Sequence, residues 1–193
     1  MNLANRITLA RIFLVPIIMF FLLINLDLPP VQFKEFSITY NQIVAALIFI
    51  IAASTDSLDG YIARSRKMVT NLGKLLDPLA DKLLVSAVLV SLVEMGKVDA
   101  WIVIVIISRE FAVTGLRQIA LLEGKVMAAG KWGKIKTATQ ITAIIALLIN
   151  NFPFEFIHIP FATIASWVMA GATIWSGVDY FAKNKELLNM ANS

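Results

Sequence analysis

Four aspartates fall at helical spacings within an otherwise apolar sequence. Asp56-Ser-Leu-Asp59-Gly60-Tyr-Ile-Ala63-Arg64 is followed, after eight residues, by Gly73-Lys-Leu-Leu-Asp77-Pro-Leu-Ala-Asp81. On a helix, Asp56, Asp59, Gly60 and Ala63 stand at i, i+3, i+4 and i+7 and share one face. Gly73, Asp77 and Asp81 form a second stripe at i, i+4 and i+8. Carboxylates at the ends of apolar runs are costly to hold there, so they usually mark a function. Oxygen donors without His or Cys are the ligand set of Mg²⁺ or Mn²⁺ rather than of zinc or copper. Two such ions side by side can clamp a diphosphate and carry charge on attacking and leaving oxygens. Gly60, Ala63 and Gly73 leave room for a substrate beside the backbone, and Arg64 offers a planar fork for phosphate oxygens. The alternative is that the acids pair with Lys82, Arg64 or Lys74, but those bases are too few to compensate so many desolvated carboxylates.

A second polar constellation comprises Ser108-Arg109-Glu110, Arg117, and Lys131-Trp-Gly-Lys134-Ile-Lys136-Thr137. Arg109 follows the apolar run Trp101–Ile107 and needs an anion. Glu110 is available, although adjacent residues on a helix point in different directions. Lys131, Lys134 and Lys136 alone read as a solvated loop touching anionic headgroups. Together with Arg109 and Arg117 they gather enough positive charge to suit a ligand that carries phosphate.

The elements that must position these groups are helices in a membrane. Of 193 residues 59% are hydrophobic and only 16% charged, with a mean hydropathy of +0.79, well above a soluble domain. Apolar stretches near the bilayer-crossing length occupy 7–26, 40–62, 76–95, 98–117, 136–152 and 157–182. The expected fold class is all-α: a polytopic membrane protein built as a six-transmembrane-helix bundle, one domain over 1–193. Arg6 before the first run invites a signal-peptide reading, but no small-x-small cleavage site follows. Lys and Arg gather in alternate connections, and the intervening loops carry only Lys34 and Lys97. The positive-inside rule therefore places both termini and the acidic motif on the cytoplasmic side of the cell membrane. Leu28-Pro-Pro-Val31, Gly96 and Asn150-Asn-Phe-Pro153 punctuate the outer turns. The chain has no cysteine, which excludes disulfides and thiolate metal sites.

Asp-x-x-Asp-Gly-x-x-Ala-Arg, eight residues, Gly-x-x-x-Asp-x-x-x-Asp resembles the signature of the CDP-alcohol phosphotransferase family, and every defined position is matched. The resemblance implies a six-helix integral membrane enzyme, commonly a homodimer, using divalent cations, Mg²⁺ or Mn²⁺, two per site. It implies Asp56, Asp59, Asp77 and Asp81 as metal ligands and Asp81 as general base. Gly60, Ala63, Arg64 and Gly73 would border the CDP moiety. Asn5, Thr8 and Arg11, at i, i+3 and i+6, either join that nucleotide site or serve as an N-cap and a snorkelling arginine; Asn5 and Thr8 are assigned to the nucleotide. Arg-Glu, a downstream Leu-Arg, and Gly-Lys-x-Lys-Thr are similar to the branch that uses glycerol phosphate. That likeness implies CDP-diacylglycerol and sn-glycerol 3-phosphate as substrates, with Arg109, Arg117, Lys134 and Lys136 as acceptor ligands. Membrane lipids are the expected surroundings, and no nucleic-acid partner is expected. Competing expectations are another acceptor (inositol phosphate, phosphatidylglycerol or serine) or a cation transporter, which would show inverted repeats and broken helices.

Asp179 is expected to pair with Lys183 one turn later. The single histidine, His158, is assigned no chemistry.

Overall fold

A computed structural model describes residues 3–24, 29–33, 36–65, 71–122 and 130–185; within these, the side chains of 3–7, 33, 56–65, 71–78 and 121–122 lie outside the description. The described residues contain six α-helices: α1 (Leu3–Leu23), α2 (Tyr40–Ser65), α3 (Asn71–Glu94), α4 (Ala100–Leu122), α5 (Lys131–Leu148) and α6 (Phe161–Lys183). The all-α expectation holds. Each helix overlaps one expected apolar stretch, but α3, α4 and α5 run about five residues further at the charged end. Hydropathy marks where a helix is apolar, whereas backbone hydrogen bonding can carry the helix past the end of an apolar run.

α1 packs on α2 and α3, α6 packs on α4 and α5, and α3 touches α2, α4 and α5, which joins the two groups. The core follows helical periods. On α3 it uses Leu84, Val88, Leu89 and Leu92, on α4 Ile102 and Ile106, and on α5 Ala143, Ile144, Leu147 and Leu148. The buried face of α5 changes character along its length, beginning with Lys136 and Gln140 and becoming wholly apolar from Ala143 onward. One stripe thus serves a polar region at one end of the bundle and the core at the other.

Large apolar side chains also cover the outside, including Phe13, Leu47, Ile51, Ile104, Phe111, Trp167 and Val178. Among the described residues one helix, α6, is by itself long and apolar enough to cross a membrane; Thr8–Leu23 and Tyr40–Thr55 are shorter apolar stretches.

The turns at the opposite end are tied by backbone geometry. Gly96, at φ +67°, ends α3: its N–H reaches Val93 O at 2.9 Å and that of Lys97 reaches Leu92 O at 2.9 Å. A left-handed residue here is natural for glycine. Asn150 and Asn151 both take positive φ, which asparagine tolerates better than most residues. Asn151 Oδ1 accepts the Ala162 N–H at 2.9 Å and so caps α6 from a distance. Where the sequence suggested only a loop after Pro30, a short antiparallel ribbon forms, β1 (Val31–Phe33) with β2 (Phe36–Ile38). Asn150 Nδ2 donates to Ser37 O at 2.8 Å and fastens that ribbon to the 150s turn.

Candidate active site

Helix periodicity on three helices builds one polar cavity. Asp81, Lys82, Val85 and Ser86 face it from α3, Ile106, Glu110 and Arg117 from α4, and Lys136, Thr137 and Gln140 from α5. Within each helix these positions repeat near multiples of 3.6. The cavity holds about 370 Å³ and lies at the end where α3 and α5 begin and α4 finishes.

Asp81 receives a hydrogen bond from Arg11 Nη1 at 2.5 Å, spanning α1 to α3. The arginine is buried while the carboxylate is 43% exposed, so the anion faces the cavity with its counter-charge behind it. Glu110 is the second acid. Lys136 Nζ lies 2.5 Å and Arg109 Nη1 3.1 Å from its Oε1. The Arg109–Glu110 contact corrects the expectation drawn from helix geometry: their Cα–Cβ bonds diverge, but both side chains are long enough to curl back and meet.

Arg109 also donates to Ser176 Oγ on α6, and a Cβ added to Gly177 would stand 3.2 Å from its Cγ. Its guanidinium therefore bridges α4 and α6 and reaches the cavity through Glu110. Arg117 lines the cavity directly; its Nε donates to Tyr180 Oη at 3.1 Å, and its guanidinium carbon lies 5.4 Å from that ring's centre. Around the two acids Asp81 and Glu110 stand five basic groups, Arg11, Lys82, Arg109, Arg117 and Lys136. Such an excess of positive charge in a confined space attracts a multiply charged anion.

The expected site residues divide by position. Asp81, Arg117 and Lys136 come together on the cavity wall, with Arg109 behind it. Lys134 is exposed on α5 and is not among the lining residues. Thr8 is buried on α1. The side chains of Asn5, Asp56, Asp59, Gly60, Ala63, Arg64, Gly73 and Asp77 lie outside the description, although the backbone is helical at each. Continuous helix through 56–65 and 71–81 meets the condition under which the acidic spacings form two stripes. Among the described residues no three His, Cys, Asp or Glu side chains gather at one point. The expected Asp179–Lys183 pair is present at 2.8 Å.

Sequence reasoning treated Lys82 only as a counter-ion and overlooked Ser86 and Gln140. A signal existed: Lys82 and Ser86, like Lys136 and Gln140, are polar pairs at i and i+4 immediately before apolar stretches.

The profile of a family described as CDP-alcohol phosphatidyltransferase matches residues 1–176. A Bacillus subtilis (strain 168) protein named CDP-diacylglycerol--glycerol-3-phosphate 3-phosphatidyltransferase is 53% identical over 191 residues, 99% of each chain. A Rickettsia felis protein of the same name is 34% identical over 186 residues, 96% of each chain. A Mycobacterium tuberculosis protein named probable phosphatidylglycerophosphate synthase is 34% identical over 185 residues, 94% of this chain and 81% of its own.

Proposed function

Since the chain belongs to the CDP-alcohol phosphatidyltransferase family, we propose that it transfers a phosphatidyl group from CDP-diacylglycerol to sn-glycerol 3-phosphate, yielding phosphatidylglycerol phosphate and CMP. The observation that carries this reading is the shared cavity of Asp81 with Lys82, Arg117 and Lys136. A base and an anion site in one cavity suit an acceptor bearing a hydroxyl at one end and a phosphate at the other.

Asp81 takes the proton of the acceptor's primary hydroxyl, and that oxygen attacks the lipid-side phosphorus as CMP departs. Arg11 stands behind the Asp81 carboxylate and aims it at the cavity. Lys82, Arg117 and Lys136 hold the acceptor phosphate, Glu110 and Arg109 fix Lys136, and exposed Lys134 adds long-range attraction at the mouth.

The donor set fits a hard divalent ion. The chain has no cysteine, its one histidine is exposed in the turn at the far end, and Asp81 is an oxygen donor already facing cationic charge. Asp56, Asp59, Asp77 and Asp81 would hold Mg²⁺ or Mn²⁺. When bound, these ions would neutralise the diphosphate and the departing nucleotide. Gly60, Ala63, Arg64, Gly73, Asn5 and Thr8 would border the CDP moiety.

The apolar exterior supports six membrane-crossing helices, with the cavity and both termini on the cytoplasmic side. Lys and Arg concentrate at the cavity end, and the donor lipid lies at headgroup depth there. A homodimer in the cell membrane completes the proposal.

The test is incubation of purified protein with CDP-diacylglycerol and labelled glycerol 3-phosphate, inositol phosphate or serine, with and without Mg²⁺. The expected result is CMP and phosphatidylglycerol phosphate from the first alcohol only, abolished by chelation and reduced about 10²–10⁴-fold by Asp81→Asn. Ion flux into vesicles with no CMP release would instead favour a transporter.

A further inference from the structure

We infer that Gln140 selects the acceptor by hydrogen-bonding the hydroxyl that lies between its phosphate and its reacting end. Gln140 is only 2% exposed yet forms part of the cavity wall, and its Nε2 has no hydrogen-bond partner among the described residues. A buried amide N–H left unpaired is strongly unfavourable, and in native proteins such a group usually serves a ligand or an ordered water. Neighbouring groups do not relieve it. Lys136, one turn earlier on the same face, is itself a donor and cannot accept from the amide, and beyond Gln140 the buried face of α5 is apolar.

This assignment rests on the proposed reaction. In sn-glycerol 3-phosphate the primary hydroxyl belongs to Asp81 and the phosphate to the basic groups, so one oxygen, the secondary hydroxyl, is left over. Gln140 is the neutral amide among the lining residues, able to donate to that hydroxyl and, through its carbonyl, to accept from it. Rotation about the last side-chain torsion is soft, so the amide can present either atom to the cavity. A site built around such a bond rejects an analogue that lacks the oxygen, because the amide is then buried without a partner.

The experiment compares glycerol 3-phosphate with 3-hydroxypropyl phosphate, which lacks only the middle hydroxyl. Wild-type protein, Gln140→Met and Gln140→Leu are assayed for ligand-induced thermal stabilisation and for lipid product. Inorganic phosphate, which probes the basic groups alone, serves as the folding control. Wild-type protein is expected to favour glycerol 3-phosphate by about tenfold or more in half-saturating concentration and in kcat/KM. In the variants that preference should fall to within about twofold, while stabilisation by inorganic phosphate is retained. A wild-type protein indifferent to the hydroxyl, or a variant that keeps the full preference, overturns the assignment. A Gln140-dependent binding preference with no lipid product would support the role of Gln140 and overturn the proposed reaction instead.

Discussion

Arg11 of α1 and Asp81 of α3 meet at 2.5 Å, with the guanidinium 3% and the carboxylate 43% exposed. The pair is asymmetric: its cation is sunk between helices, and its anion looks into the cavity. Removing the cation therefore leaves a carboxylate that water can still reach, whereas removing the anion takes a charged partner from a buried guanidinium.

The asymmetry predicts that Arg11→Met lowers turnover by about tenfold or more while costing only about 1–2 kcal/mol of stability, less than a fully buried pair would. Arg11→Lys should recover part of the activity, because it restores charge but not the planar fork. CMP release and thermal unfolding in detergent measure the two effects separately. Normal turnover in Arg11→Met would show that Asp81 needs no guanidinium behind it.

Two lysines two residues apart should behave differently. Lys136 is buried against Glu110, so Lys136→Met should raise KM for the acceptor about tenfold or more. Lys134 is exposed, and Lys134→Met should change KM less than about threefold, an effect that disappears in high salt. KM measured at two ionic strengths checks both; equal, salt-independent effects would contradict the placement of Lys134.

Gly177 gives Arg109 its room, since a Cβ there would lie 3.2 Å from Arg109 Cγ. Gly177→Ala asks the arginine to yield by a few tenths of an ångström and should cost under about 1 kcal/mol. Gly177→Leu overpacks the α4–α6 contact, costs about 1–3 kcal/mol, and should weaken acceptor binding by pulling Arg109 away from Glu110. Unfolding midpoints with acceptor KM for both variants test this, and an unchanged KM in Gly177→Leu would separate Arg109 from the site.

At the opposite end, burial lowers Lys97 to about 8 from its ordinary 10.5, while its Nζ donates to Leu147 O at 3.1 Å and to Asn150 Oδ1. The unfolded chain holds this proton more tightly than the folded one. Between about pH 8 and 10.5 the unfolded state therefore binds more protons, and stability should rise with pH by up to about 1 kcal/mol per unit. Lys97→Met should flatten that rise. A slope identical in wild type and Lys97→Met, followed by thermal unfolding across this range, would refute the assignment.

Local properties of the chain were legible without coordinates. Apolar run length, helical spacing, a turn at Gly96 and a break at Asn150-Asn-Phe-Pro153 each depend on neighbours within a few residues. They yielded six helices in the correct order and the Asp179–Lys183 pair. The short ribbon at 31–38 was not legible, because three-residue strands carry too little periodicity and this one is held by Asn150, more than a hundred residues away.

The sequence by itself determined that the chain is helical and apolar and that acids and bases collect at one end of its helices. Only the tertiary structure decided which of them meet. Arg11 reaches Asp81 across 70 positions, Arg109 turns toward α6, Lys134 stays outside, and Gln140 enters the cavity wall. Those outcomes depend on which faces of α1, α3, α4, α5 and α6 pack together, and packing is chosen by shape and buried area summed over the whole bundle. No spacing along one helix encodes that choice.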